Sequence, residues 1–138
     1  MTQDKLIGII NLVRGITDEN IFIINEEVTF ESSRLNLSIT LLPGFVTDGI
    51  SVPKFIWSFI DPWSGKYLIA AIFHDLLYST HIMSKNNSDL VFLDILTYCN
   101  VNKTTSKLMY YAVKYFGQKY WDAVSDIDFS FIKIKNIM

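Results

Sequence analysis

Between Gly65 and Tyr78 the chain reads Gly-Lys-Tyr-Leu-Ile-Ala-Ala-Ile-Phe-His-Asp-Leu-Leu-Tyr. From Tyr67 onward almost every residue is apolar and no polar face recurs at the helical period. Such a segment is stable as a helix packed on all sides. His74 and Asp75 interrupt it. An imidazole or a carboxylate taken out of water without a partner is strongly destabilising. The rest of the chain must therefore supply polar partners to this helix.

The totals limit where those partners come from. With 138 residues, half of them hydrophobic, the chain is expected to form a single domain with one substantial core. The net charge of −2 comes without a basic block, which argues against nucleic acid as a partner. Cys99 is the sole cysteine, so neither an internal disulfide nor a cysteine-based zinc site is expected. No apolar run reaches the ~18 residues of a membrane span. The opening Thr-Gln-Asp-Lys lacks the basic and apolar regions of a secretory signal, so the chain is expected to stay in the cytoplasm where it is made. The 14% aromatic content suits a dense core or a protein that works against other protein surfaces.

Taken in order, residues 4–14 are ambiguous between a short helix and a strand; Ile, Val and Gly8 favour the strand. Residues 17–20 have turn chemistry, and residues 21–25 read as a strand. Residues 27–31 and 35–41 alternate polar and apolar, the mark of half-buried strands joined by a turn at 32–34. Pro43-Gly44 ends this part. Ser51 is placed to cap, and Pro53 to open, a short helix through Phe59 that stops at Asp61-Pro62. The central helix spans about 65–79. A second, about 89–98 and begun by the polar stretch 84–88, puts Asp89, Phe92, Leu93 and Leu96 on one face. Thr104 or Thr105 caps a third, with Leu108, Tyr111, Ala112 and Tyr115 as its apolar face. Gly117 interrupts it and Trp121 anchors a last turn. The tail from Asp126 is either a late strand or a segment that orders on a partner. The expected architecture is α+β: a small N-terminal antiparallel sheet (about 1–47), a bundle of three to five helices (about 53–125) and a short C-terminal tail.

Four segments together resemble a known family: Gly44-Phe45-x-Thr47-Asp48-Gly49-x-Ser51-Val52-Pro53, Ala70-Ala71-x-x-His74-Asp75-x-Leu77-Tyr78, Lys85-x-x-x-Asp89-x-x-Phe92, and Tyr110-x-x-Val113-x-x-Phe116-Gly117-x-x-x-Trp121. Their order and spacing, over roughly Leu42 to Trp121, are similar to the domain-of-unknown-function family numbered 1353, found mostly in tailed phages and prophages. The resemblance implies a phage context and a shared polar site, and no particular activity. Where the family carries Ala and two Arg, this chain has Ile50, Lys54 and Lys85. Lysine lacks the planar fork with which arginine grips a carboxylate, so an ion pair copied from the family changes form here.

His74 and Tyr78 lie four residues apart and share a helix face with Ala70 and Ala71. Asp89 points inward from the next helix. A loop between Gly44 and Pro53 can bring Asp48 and Ser51 over the same face. His74, Asp75, Asp89 and Asp48 are therefore expected to converge, with Ser51, Tyr78 and Lys85 nearby. One imidazole with carboxylates suits a divalent ion such as zinc, manganese or magnesium on His74, Asp48 and Asp89, able to activate water. Without metal, His74 oriented by Asp75 or Asp89 is a general base. Equally, the groups form a buried network tying a loop to two helices. A phosphohydrolase of the His-Asp type needs an upstream histidine that is missing. His81 reads as a surface residue at the helix end and Ser51 as a cap, without a nucleophile elbow. Trp57, Trp63 and Trp121 read as anchors, the tyrosines 110, 111 and 115 as packing and Tyr120 as the exposed one, and Cys99 as a small buried residue.

Two functions of different class are expected. One is a phage accessory or structural protein that binds other phage proteins, in the host cytoplasm or the virion. The other is a small metal-dependent hydrolase acting during infection, on the cell envelope for instance. A modulator of host defence is a third class.

Overall fold

The computed structural model describes residues 3–8, 12–14, 22–47 and 65–137. Turns or helices expected at 17–20, 48–53 and 53–59, with Asp48, Ser51, Trp57 and Trp63, lie outside them. The chain divides into two compact units, Met1–Asp48 with Asp128–Met138, and Gly49–Ile127.

The first unit is antiparallel β. Strands β1 (Lys5–Ile7), β4 (Val28–Ser32), β5 (Leu37–Leu41) and β7 (Ile132–Asn136) form a four-stranded sheet in the order β1-β4-β5-β7. Strands β2 (Leu12–Arg14), β3 (Phe22–Ile24) and β6 (Val46–Thr47) form a three-stranded sheet in the order β2-β3-β6. The alternation read from the sequence sets the faces. Phe30, Ile39 and Ile134 stand opposite one another across three strands, as do Val28, Leu41 and Ile132. The other face carries Thr29, Thr40 and Lys133 in register, and the two threonine hydroxyls meet at 2.8 Å. Asp4 Oδ1 accepts from the Ser33 backbone N–H and hydroxyl at 2.8 and 2.7 Å, fastening the start of β1 to the β4–β5 turn.

One expectation changes here, and one open alternative is decided. Residues 4–14 supply two strands in two sheets instead of one, because Gly8 at φ +103° breaks the extended run, and a Cβ there would stand 2.9 Å from the Glu27 carbonyl oxygen. The C-terminal tail is a strand on the edge of β5, and the Phe131 carbonyl accepts from the Leu42 N–H at 2.9 Å.

The second unit is helical in its described part: α1 (Gly65–Thr80), α2 (Lys85–Tyr98), α3 (Lys103–Phe116) and α4 (Gln118–Asp122). Ala70 to Phe73, Leu76, Leu77 and Tyr78 of α1 are all buried, as the apolar run requires. Ser84 caps α2, its hydroxyl accepting from the Asn87 N–H at 3.1 Å, so the helix starts earlier than the sequence suggests. Asn102 caps α3 by accepting from the Thr105 N–H at 2.8 Å; Thr104 and Thr105 are already inside the helix. The face of α3 also differs from expectation. Met109, Tyr110, Ala112 and Val113 are buried, whereas Leu108, Tyr111 and Tyr115 are exposed. Both stripes are apolar, so periodicity alone did not say which one faces inward. Tyr120 is half-buried, as is Cys99, which ends α2 as its C-cap.

Candidate functional site

The central polar group is built by α1, α2 and the end of α3. His74 faces α2 because Ala70 and Ala71, one turn earlier, leave space on that side. Asp89, one turn into α2, lies on its buried face with Phe92. Lys85 precedes Asp89 by four residues and so shares that face. Tyr78 follows His74 by four on α1.

The geometry closes on Asp89. Its Oδ1 lies 2.8 Å from His74 Nε2 and 2.8 Å from the Tyr78 hydroxyl. Its Oδ2 accepts from Lys85 Nζ at 2.8 Å. Lys85 gives its other two protons to the carbonyls of Val113 at 3.1 Å and Lys114 at 3.2 Å, at the end of α3. The lysine has no guanidinium fork, but its three N–H groups are all used, and two of them take up carbonyls in the last turn of α3. His74 is 0% exposed, Asp89 and Tyr78 1% each.

Burial would push the Asp89 carboxyl up, but donors from His74, Lys85 and Tyr78 outweigh it and hold the group below the usual carboxylate range. Burial dominates at His74 and lowers its pKa despite the Asp89 contact, so the ring is neutral. Burial and the neighbouring carboxylate push the Tyr78 hydroxyl far up, so it stays protonated. An ionised Asp89 only accepts, so His74 carries its proton on Nε2 and presents a lone pair on Nδ1. That Nδ1 has no hydrogen-bond partner among the described residues. The network is electrically balanced, one carboxylate against one ammonium.

Aromatic rings wall it in. The His74 ring lies 4.1 Å from Tyr78 and 4.7 Å from Phe92 between centroids. Trp121 meets Tyr78 edge-on at 5.2 Å and stacks on His81 at 3.7 Å, and its carbonyl accepts from His81 Nε2 at 3.1 Å. His81, expected as a free surface residue, therefore holds α4 against the end of α1. Gly117 is required by close approach: a Cβ there would stand 2.4 Å from the Val113 oxygen and 2.7 Å from the Tyr78 hydroxyl.

Of the residues expected to converge, His74, Asp89, Tyr78 and Lys85 do meet. Asp75 is half-buried, and the hydrogen bond of His74 runs to Asp89 instead, since consecutive helical residues point about 100° apart. Asp48 and Ser51 lie outside the described residues. Among the described residues no group of three or more His, Cys, Asp or Glu side chains is arranged to hold a metal ion. Asp89 already faces an ammonium, a poor setting for a second cation. What the sequence reading missed is the part played by backbone: the Val113 and Lys114 carbonyls. The Lys85–Asp89 spacing and Gly117 were the only signals pointing there.

The motifs thus occupy connected positions: the Ala-Ala-x-x-His-Asp segment on α1, Lys-x-x-x-Asp on α2, and Val113 with Gly117 at the end of α3. A sequence profile described as Protein of unknown function (DUF1353) matches residues 22–113, about two thirds of the chain. The chain belongs to the DUF1353 family. Among curated proteins, this DUF1353 chain is similar to "Uncharacterized protein y4iH" of Sinorhizobium fredii (strain NBRC 101917 / NGR234), with 33% identity over 75 residues. The match covers 54% of this chain and 31% of that protein, so the chain spans under a third of its relative. No solved structure matches it.

Proposed function

We propose that this chain is a phage or prophage accessory protein that works by binding other proteins of the phage, in the host cytoplasm or within the particle, and that its polar cluster is structural. One observation carries the reading: His74 is 0% exposed, and its Nε2 faces a carboxylate whose two oxygens are engaged by three donors. A general base must reach the proton it removes. The other ring nitrogen, Nδ1, is itself buried, with no hydrogen-bond partner among the described residues. The cluster holds α1, α2 and the last turn of α3 in register and leaves the outer surfaces for recognition. The phage context rests on the family resemblance.

The hydrolase reading, with a divalent metal on His74, Asp48 and Asp89, draws support from Nδ1, which has no hydrogen-bond partner among the described residues. It requires Asp89 to give up contacts to Lys85 and Tyr78, which would leave an ammonium without its counter-charge.

Tagged chain purified from its native host or from virions decides between them. The interaction reading expects a partner at fixed stoichiometry by mass spectrometry and no hydrolytic turnover. A free chain with bound divalent metal, and an activity lost in His74→Gln, would overturn it.

A further inference from the structure

The outward face of α3 has a composition the buried cluster does not explain. Leu108, Tyr111 and Tyr115 are 55%, 47% and 66% exposed, at the i, i+3, i+7 spacing of a helical seam. Lys107 and Lys114 sit immediately before Leu108 and Tyr115, seven residues apart, and both are exposed. If Leu108 and Tyr115 take the a positions of a heptad and Tyr111 the d position, the two lysines occupy successive g positions, where interhelical charge pairs form. The opposite side of the helix is committed to the core through Met109, Ala112 and Val113.

Charge narrows the occupant. Between Asp94 and Asp122 the sequence has four lysines and no acidic residue, within a chain of net charge −2. A second copy docked on the same face would oppose lysine to lysine, which disfavours a symmetric pair. Nucleic acid fits less well. Leu108 offers no stacking surface, and Tyr111 and Tyr115 already stack on each other at 6.1 Å with Lys114 Nζ 6.0 and 5.6 Å from their centroids.

From this face we infer that α3 docks an amphipathic helix of a partner protein, one with an apolar seam flanked by glutamate or aspartate. The inference rests on the reading of the chain as an interaction protein and names the chemistry of the partner. Leu108, Tyr111 and Tyr115 supply the apolar anchors, and Lys107 and Lys114 set partner choice and register.

The test uses the full chain and a fluorescent synthetic peptide of about three heptads, with leucines along its seam and glutamates beside it. Fluorescence anisotropy is expected to show saturable binding that weakens about tenfold or more in K107E/K114E and in Tyr111→Ala. A matching peptide with lysines beside the seam is expected to bind K107E/K114E better than it binds the original chain. Circular dichroism melts confirm that these surface variants remain folded. No binding of the acidic peptide, equal binding by the variants, or tighter binding of a single-stranded oligonucleotide would overturn the inference. If it fails while the native purification yields a stoichiometric partner, the interface lies elsewhere and the interaction reading stands. If no partner is found, that reading itself fails.

Discussion

The sheet unit and the helical unit both bury tightly packed interiors, but they differ in what else they bury. The four-stranded sheet hides Val28, Phe30, Ile39 and Leu41, and its buried polar side chains are hydroxyls such as Ser32. The helical unit hides a carboxylate, an imidazole and a phenol together, with an ammonium only 14% exposed. A sheet satisfies its backbone through its own ladder, so its side chains can be apolar. At the end of α3 the Val113 carbonyl, which also accepts from the Gly117 N–H, and the Lys114 carbonyl both bind Lys85. The difference teaches where each unit is vulnerable. The sheet is sensitive to lost volume, the helices to lost charge balance and to pH.

The largest expected effect follows from that contrast. Lys85→Met leaves Asp89 buried without its counter-ion and is expected to destabilise the chain by about 3–5 kcal/mol in a denaturant titration. Replacing both, as K85M/D89L, should lose much less than the two single changes added together. Phe30→Ala in the sheet is expected to fall in a similar range of about 3–5 kcal/mol, from the cavity alone and without pH dependence. A Lys85→Met loss below about 1 kcal/mol would erase the contrast.

Gly117→Ala comes next. Its Cβ would press on the Val113 oxygen and the Tyr78 hydroxyl, and neither can retreat without breaking a hydrogen bond of the cluster. A loss of about 1–3 kcal/mol is expected, with Tyr78 fluorescence or NMR signals shifted. A neutral result would mean that the end of α3 yields freely.

Acid is expected to weaken the helical unit in two stages. Burial lowers the His74 pKa below 6.5, so the unfolded chain takes up a proton that the folded chain refuses. The contribution is therefore complete above pH 6.5 and declines below it, by at most about 1.4 kcal/mol per pH unit. The Asp89 pKa is lowered from 3.8, so its contribution is present above that value and lost as pH falls through the folded one. His74→Gln should flatten the first stage only. Stability measured by urea titration from about pH 8 down to about pH 2 checks both.

The smallest effect belongs to the sheet. Thr29→Val with Thr40→Val removes the cross-strand hydroxyl pair and is expected to change stability by no more than about 1 kcal/mol, equally at all pH values.

These regions were not equally legible in the sequence. Strict alternation in residues 27–31 and 37–41 announced β4 and β5 and their faces, because period two leaves little choice. The continuous apolar run of α1 announced burial, and Asp89 on an apolar stripe announced an inward carboxylate. The inward face of α3 was not legible, since Leu108, Tyr111 and Tyr115 form as good a stripe as Met109, Tyr110 and Val113. Which one is buried depends on packing with α2. Backbone acceptors were also hidden, because a carbonyl has no letter in the sequence. Asp75 was overvalued for standing next to His74, where helical geometry favours residues three or four apart.

The structural role of the cluster depends on His74 being a neutral, sealed ring that donates its Nε2–H hydrogen bond to Asp89. Long-range nitrogen–proton NMR on imidazole-labelled chain measures this directly. The predicted result is a single Nε2–H tautomer at neutral pH, with any titration displaced below the ordinary imidazole value, and no response to added zinc. A ring that titrates near its ordinary pKa, or shifts when zinc is added, would contradict it.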